Sequence, residues 1–144
     1  MEAEVKLLSQ EMLDEMLKQS EDPDLREQLK GLSIRLVMVA TDCPGNEDRG
    51  CKLTLEDGKI TKAEAVVKPA PSDMREEPLD KANFDAKVVS PFEPLTDLVT
   101  EKMSLVAAFG HVKIDGDLPK LMTQVEGFVA FLKFIGSMPI EWGT

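Results

Sequence analysis

The chain has 144 residues, 42% of them hydrophobic, which suits one domain able to bury roughly 70% of its unfolded surface. Its 27 acidic residues outnumber 17 basic ones, a formal net charge of −10. That balance disfavours nucleic acid, whose binding draws on clustered Lys and Arg, and unassisted docking on anionic membranes. The longest apolar run, residues 127–132, is far short of the roughly 20 residues that span a bilayer, and the charged opening shows no signal peptide. A cytoplasmic protein without stable membrane insertion is expected.

In chain order, residues 4–19 place Val5, Leu8, Met12, Leu13, Met16 and Leu17 on one side of a helix and mostly acidic residues on the other. Asp22-Pro23 restarts a short helix that Gly31 stops. Alternation of Ile34, Leu36, Met38 and Ala40 with Arg35, Val37 and Val39 predicts a strand over 33–40, and residues 41–49 read as a polar loop. Cys51, Leu53 and Leu55 alternate with Lys52, Thr54 and Glu56, and Asp57-Gly58 turns the chain. A two-residue turn would set Leu53 beside Lys62. A three-residue loop with a glycine bulge instead pairs Leu53 with Thr61 and Cys51 with Ala63, which brings Ala63, Ala65 and Val67 to the apolar face, and this register is preferred.

Cys43 and Cys51 are expected to be reduced thiols, and no Cys-x-x-Cys pair or second histidine completes a zinc site. Residues 68–81, rich in proline and charge, read as an exposed connector, or as a gate if a cavity lies beneath. A strand over 83–89, with Phe84, Ala86 and Val88 inward, feeds a capping box at Ser90, Pro91 and Glu93 that starts a helix. An apolar cluster over 105–109 stops at Gly110, and Val112 and Ile114 mark a short strand. Gly116 turns the chain, Asp117 caps, and Pro119 opens one long final helix. Residues 139–144 form a tail whose Trp142 packs on the nearest helix.

The final helix carries two apolar stripes. Leu118, Leu121, Met122, Val125, Val129, Leu132 and Ile135 form one facing the core, while Phe128, Phe131, Phe134 and Met138 lie off it. Each large side chain left in water forgoes roughly 1.5–3 kcal/mol of burial, so the second stripe calls for a cover. The N-terminal helix, a dimer partner or an apolar ligand could supply it. Catalytic chemistry is not indicated. His111 stands alone without a nucleophile elbow, Ser90, Ser104 and Asp115 make no triad around it, Asp115 and Asp117 lack further metal ligands, and the glycines fit no nucleotide-binding spacing.

Ala108 and Gly110 before a short strand, then Gly116, Asp117 and Leu121 opening an apolar helix, resemble the sterol carrier protein type two family. Phe84-Asp85-Ala86, Ser90-Pro91-Phe92 and Leu95 upstream fit the same pattern, and the likeness covers about residues 32–138. It departs at Glu101, where many members have glycine, and near Leu95 and Thr96, where many carry tryptophan. The chain also ends without the serine-lysine-leucine type signal of the peroxisomal members.

The resemblance implies a single α+β domain, a curved, mostly antiparallel five-stranded sheet covered on one face by helices around an apolar tunnel. Residues 1–31 would be a helical extension, 32–138 the lipid-binding domain and 139–144 a tail. The implied function is a carrier without enzymatic activity, cofactor or metal, holding a fatty acyl, sterol-like or isoprenoid molecule. The expected lining is Met103, Val106, Phe109, Leu121, Met122, Val125, Phe128, Phe131, Leu132 and Ile135. The alternative from another class is an interaction or homodimerisation module whose apolar helix face binds a partner.

Overall fold

The computed structural model describes residues 4–108 and 110–142. Strands β1 (Ile34–Cys43), β2 (Glu47–Glu56) and β3 (Lys59–Pro69) form an antiparallel meander. A crossover brings β4 (Ala86–Pro91) parallel to β1, and β5 (Lys113–Gly116) pairs antiparallel with β4 at the edge. The order across this open, mostly antiparallel sheet is β3-β2-β1-β4-β5. The helices are α1 (Gln10–Gln19), α2 (Pro23–Gln28), α3 (Phe92–Val99), α4 (Leu105–Ala108), α5 (Leu118–Thr123) and α6 (Val125–Ser137).

Alternation along the strands builds the core. Leu36, Met38 and Ala40 of β1, Cys51, Leu53 and Leu55 of β2 and Ala86 and Val88 of β4 are buried on one face. They join one cluster with Met12, Leu13 and Met16 of α1, Leu95 and Leu98 of α3 and Phe131 and Ile135 of α6. Helix α1 lies over β3, and α3 packs on α6, β1 and β4. Leu7, Leu8 and Leu29 belong to the same cluster, so residues 7–29 share the core of the rest. Helix α6 crosses α3 so closely that a side chain on Gly136 would run into the carbonyl of Val99.

Several expectations are corrected by tertiary contacts. The opening helix begins at its cap Ser9, which accepts from Met12 N, and not at residue 4. Leu8 is left-handed with φ 58°, and Val5 pairs with the tail at Ile140, its N–H donating to Pro139 O at 2.9 Å. Most of the expected loop over 41–49 is strand, with the chain reversing around Gly45 and Asn46. Asp42 and Asn46 stay exposed, but Asp48 and Arg49 are buried and paired. Asp48, fully buried, accepts from Asp42 N at 3.0 Å, Ser72 Oγ at 2.6 Å and Arg75 Nε at 2.8 Å. The Arg75 guanidinium, with Ser72 and two backbone N–H groups, holds that carboxyl well below the usual range against the opposing effect of burial.

The β2–β3 turn is the two-residue Asp57-Gly58, both left-handed, and the register slips later, between Thr54 and Leu55. Leu53 therefore faces Ala63 and Cys51 faces Ala65, in place of Thr61 and Ala63. The displacement is two residues, so the same side chains still face the helices. Ser90 does not cap α3. It pairs with Ala40 inside β4 and its hydroxyl donates to Pro91 O, leaving Pro91 at the cap position.

Phe84 precedes β4 and lies half-buried on the far side of the sheet beside Lys52. The long final helix is two, broken at Gln124 although no proline or glycine stands there. The Gln124 Oε1 accepts from Ser33 N at 2.6 Å, a tertiary bond that competes with continuous helix. Cys43 and Cys51 are free and buried, and burial pushes their thiols up to about 11 and about 12.

Candidate functional site

Both stripes of the C-terminal helices supply the core: Leu121, Leu132 and Ile135 of the first are buried as expected, and so is the whole of the second. Phe128, Phe131, Phe134 and Met138 are at most 6% exposed, closed in by the chain itself, whereas Leu118 and Met122 of the first stripe are 45% and 44% exposed. Helical period identifies residues that share a face but not which of two adjacent apolar faces meets the core. The break at Gln124 separates the two halves, so α5 and α6 need not present one continuous stripe.

An apolar groove of about 300 Å³ opens where the end of α3, the following turn, α4 and α6 meet. Leu98, Met103, Leu105, Val129 and Leu132 line it. Leu98 and Leu132 belong to the buried core, while Met103 and Leu105 are half-buried, so the groove reaches from solvent to the core surface. Glu101 is left-handed with φ 65°, turning the chain after α3, and pairs at 3.4 Å with Lys133 of α6, both lining the groove. Each partner of that pair is more than half exposed, so the bridge contributes little stability.

Of the residues expected to line a cavity, Met103 and Leu132 are on this groove. Leu121, Phe128, Phe131 and Ile135 are packed in the closed core, Val125 is half-buried beside Leu32, Val106 and Met122 are exposed, and Phe109 lies outside the described residues. Leu98, Leu105 and Val129 were not among them. Their apolar spacing was visible, but the turn at Glu101 that brings α3 and α4 around α6 was not. His111 is exposed, and Ser90 is buried within β4, so the two do not form a nucleophile and base. Among the described residues no group of three or more His, Cys, Asp or Glu could hold a metal, and no helix is long and apolar enough to cross a membrane.

Helix α5 is anchored by charge. Its Lys120 Nζ donates to Asp85 Oδ2 at 3.1 Å, and Arg35 donates to the same carboxylate through its backbone N at 2.8 Å and Nη2 at 3.0 Å. Burial alone would raise Asp85, but Arg35 and Lys120 outweigh it and hold the carboxyl at about 2, down from the ordinary 3.8. A depressed carboxyl stabilises the fold fully above its unfolded value, and that contribution is lost as pH falls through the folded value. Urea midpoints should therefore drop between pH 4 and 2, with Asp85 accounting for about 2 kcal/mol. Asp85→Asn should flatten that part of the profile; parallel profiles for variant and parent would refute the pairing.

The chain has the fold of sterol carrier protein 2: an open, mostly antiparallel five-stranded sheet with its helices gathered against one face. Among solved structures it superposes on one described as sterol carrier protein 2 with TM-score 0.69 and 13% identity, covering 92% of this chain and 99% of the other. A conserved hypothetical protein of Thermus thermophilus, described as a candidate sterol carrier protein, matches with TM-score 0.63 and 13% identity over 96% of this chain and 95% of its own. No family model and no curated protein matches the chain.

Proposed function

We propose that this chain is a non-enzymatic lipid-binding carrier that holds a fatty acyl, sterol-like or isoprenoid molecule against α6, entering through the groove between α3, α4 and α6. The observation that supports it is an apolar groove running to the core surface in a chain with the sterol carrier protein 2 fold. Met103 and Leu105 are the side chains to be displaced, and the unbranched thioether of Met103 adapts to guests of different shape. Held by apolar burial with few polar anchors, the ligand would be selected by bulk more than by head group. Such a carrier would work in the cytoplasm, and its negative net charge opposes docking on anionic lipid surfaces.

Displacement of a fluorescent fatty acid, with native mass spectrometry for bound lipid, tests this reading. Saturable displacement is expected, weakened about tenfold or more by Leu105→Asp, which sets a charge on the groove wall at a half-buried position. Absence of saturable binding to the parent protein overturns it. A second reading, an interaction or dimerisation module, draws on the exposed Val106, Leu118 and Met122. A molar mass that doubles with concentration, and reverts in Met122→Glu, would favour that one.

A further inference from the structure

The opposite face of the sheet carries a second pocket, of about 300 Å³, roofed by the crossover between β3 and β4. Val37, Val39, Gly50 and Val66 form its sheet wall, and Met74, Leu79 and Phe84 reach down from the crossover. That crossover is tied in place by Arg75, which bonds Asp48 and Asp42, and by Lys68, whose Nζ donates to Asp73 at 2.8 Å. Burying one flank of a sheet under a fixed crossover explains Val39 and Met74. It does not explain a cation at the bottom.

Lys87 is 4% exposed and lines this pocket. Its ammonium donates to Met74 O and Glu77 O, both at 2.6 Å, and among the described residues it has no ion pair. An ammonium has three N–H donors, so one remains without a protein acceptor among those residues. Two carbonyls orient such a cation without cancelling its charge, and a buried charge without a counter-charge is costly unless something supplies one. Burial accordingly lowers the affinity of this lysine for its proton, the nearby Glu77 and Asp115 opposing that effect.

The charged groups at the mouth are mixed. Glu77 and Asp80 are exposed there, and the exposed Lys52 has its ammonium 5.7 Å from the centre of the Phe84 ring. The shallower charged groups, with half-buried Lys68 among them, are thus of both signs, whereas the one deeply buried charged group lining the pocket is the cation Lys87.

We propose that this pocket binds a small organic carboxylate with a compact apolar body, its carboxylate on the free donor of Lys87 and its body against Val37, Val66, Leu79 and Phe84. The site is separate from the groove at α6, on the other side of the sheet, and does not depend on the carrier reading. A purely structural Lys87, acting as a staple between β4 and the crossover, would hold the same two carbonyls and leave the pocket without preference for an anion.

The test is titration of the full chain with benzoate, and in parallel with the neutral isostere benzamide, followed by backbone amide NMR. Saturable shifts are expected at Val37, Val39, Gly50, Val66 and Leu79 with benzoate, and affinity for benzamide at least about tenfold weaker. Lys87→Met should abolish the benzoate preference. Should that variant fail to fold, Val66→Trp, at a 38% exposed position on the wall, should block benzoate while leaving Lys87 intact. Equal binding of the two ligands, shifts confined to the α6 groove, or no saturable shift at millimolar benzoate would overturn the proposal.

Discussion

Phe131→Ala should cost about 3–5 kcal/mol in urea denaturation, as large-to-small changes of fully buried aromatic residues do. Phe131 is 0% exposed and sits with Phe128, Leu132 and Ile135 in the cluster that joins α6 to the sheet and to α1. The side chain also decides how the C-terminal helices are read. If Phe131 faced a ligand space, removing its ring would merely enlarge that space, and the loss would stay below about 1 kcal/mol because few packing contacts would be broken. A large loss shows that Phe131 is a core side chain and not the wall of a ligand space.

Arg49→Met should be about as damaging, roughly 3–5 kcal/mol, because it breaks a buried charge network while keeping the aliphatic stem. Arg49 is 1% exposed; its Nε donates to Glu47 at 2.7 Å, Nη1 to Leu7 O at 3.2 Å and Nη2 to Pro44 O at 3.1 Å. Removing the donors leaves Leu7 O, a buried acceptor, unmatched at a cost of about 1–3 kcal/mol, and also removes the part-buried bonds to Glu47 and Pro44 O. The loss should be directional. Leu7 O belongs to the segment that pairs with the tail, so hydrogen exchange should rise first over residues 5–9 and at Ile140, before the β1–β2 ladder opens. Uniform exchange across the sheet would show that Arg49 does not hold the N-terminal segment.

The strands were legible because alternation is a local property: Ile34, Leu36, Met38 and Ala40 share a face wherever that face ends up. Two caps and the place of the hairpin turn were legible for the same reason. Asp22 accepts from Asp24 N at 2.9 Å, Asp117 from Lys120 N at 3.0 Å, and the chain turns at Asp57-Gly58, but the turn has two residues and not the expected three, and Ser90 does not cap α3. The strand within 41–49 was hidden because Asp48 and Arg49 look like solvated residues, and only the distant Ser72, Arg75 and Leu7 show why they can be buried. The groove depends on the turn at Glu101, and the far-side pocket on Lys87 meeting carbonyls ten and thirteen residues away.

By itself the amino-acid order determined the positions of most strands, two helix caps and a C-terminal segment too apolar to stand in water, and its resemblance to the sterol carrier protein type two family implied the α+β domain with a mostly antiparallel sheet. Tertiary structure alone decided that both stripes of that C-terminal segment enter the core, where it breaks, how the opening residues are held and which polar residues are interior. The physical reason is range. Backbone geometry and side-chain period act within a few residues, whereas burial of Asp48, Arg49, Lys87 and Phe131 is stabilised by groups remote in the chain that only folding brings together.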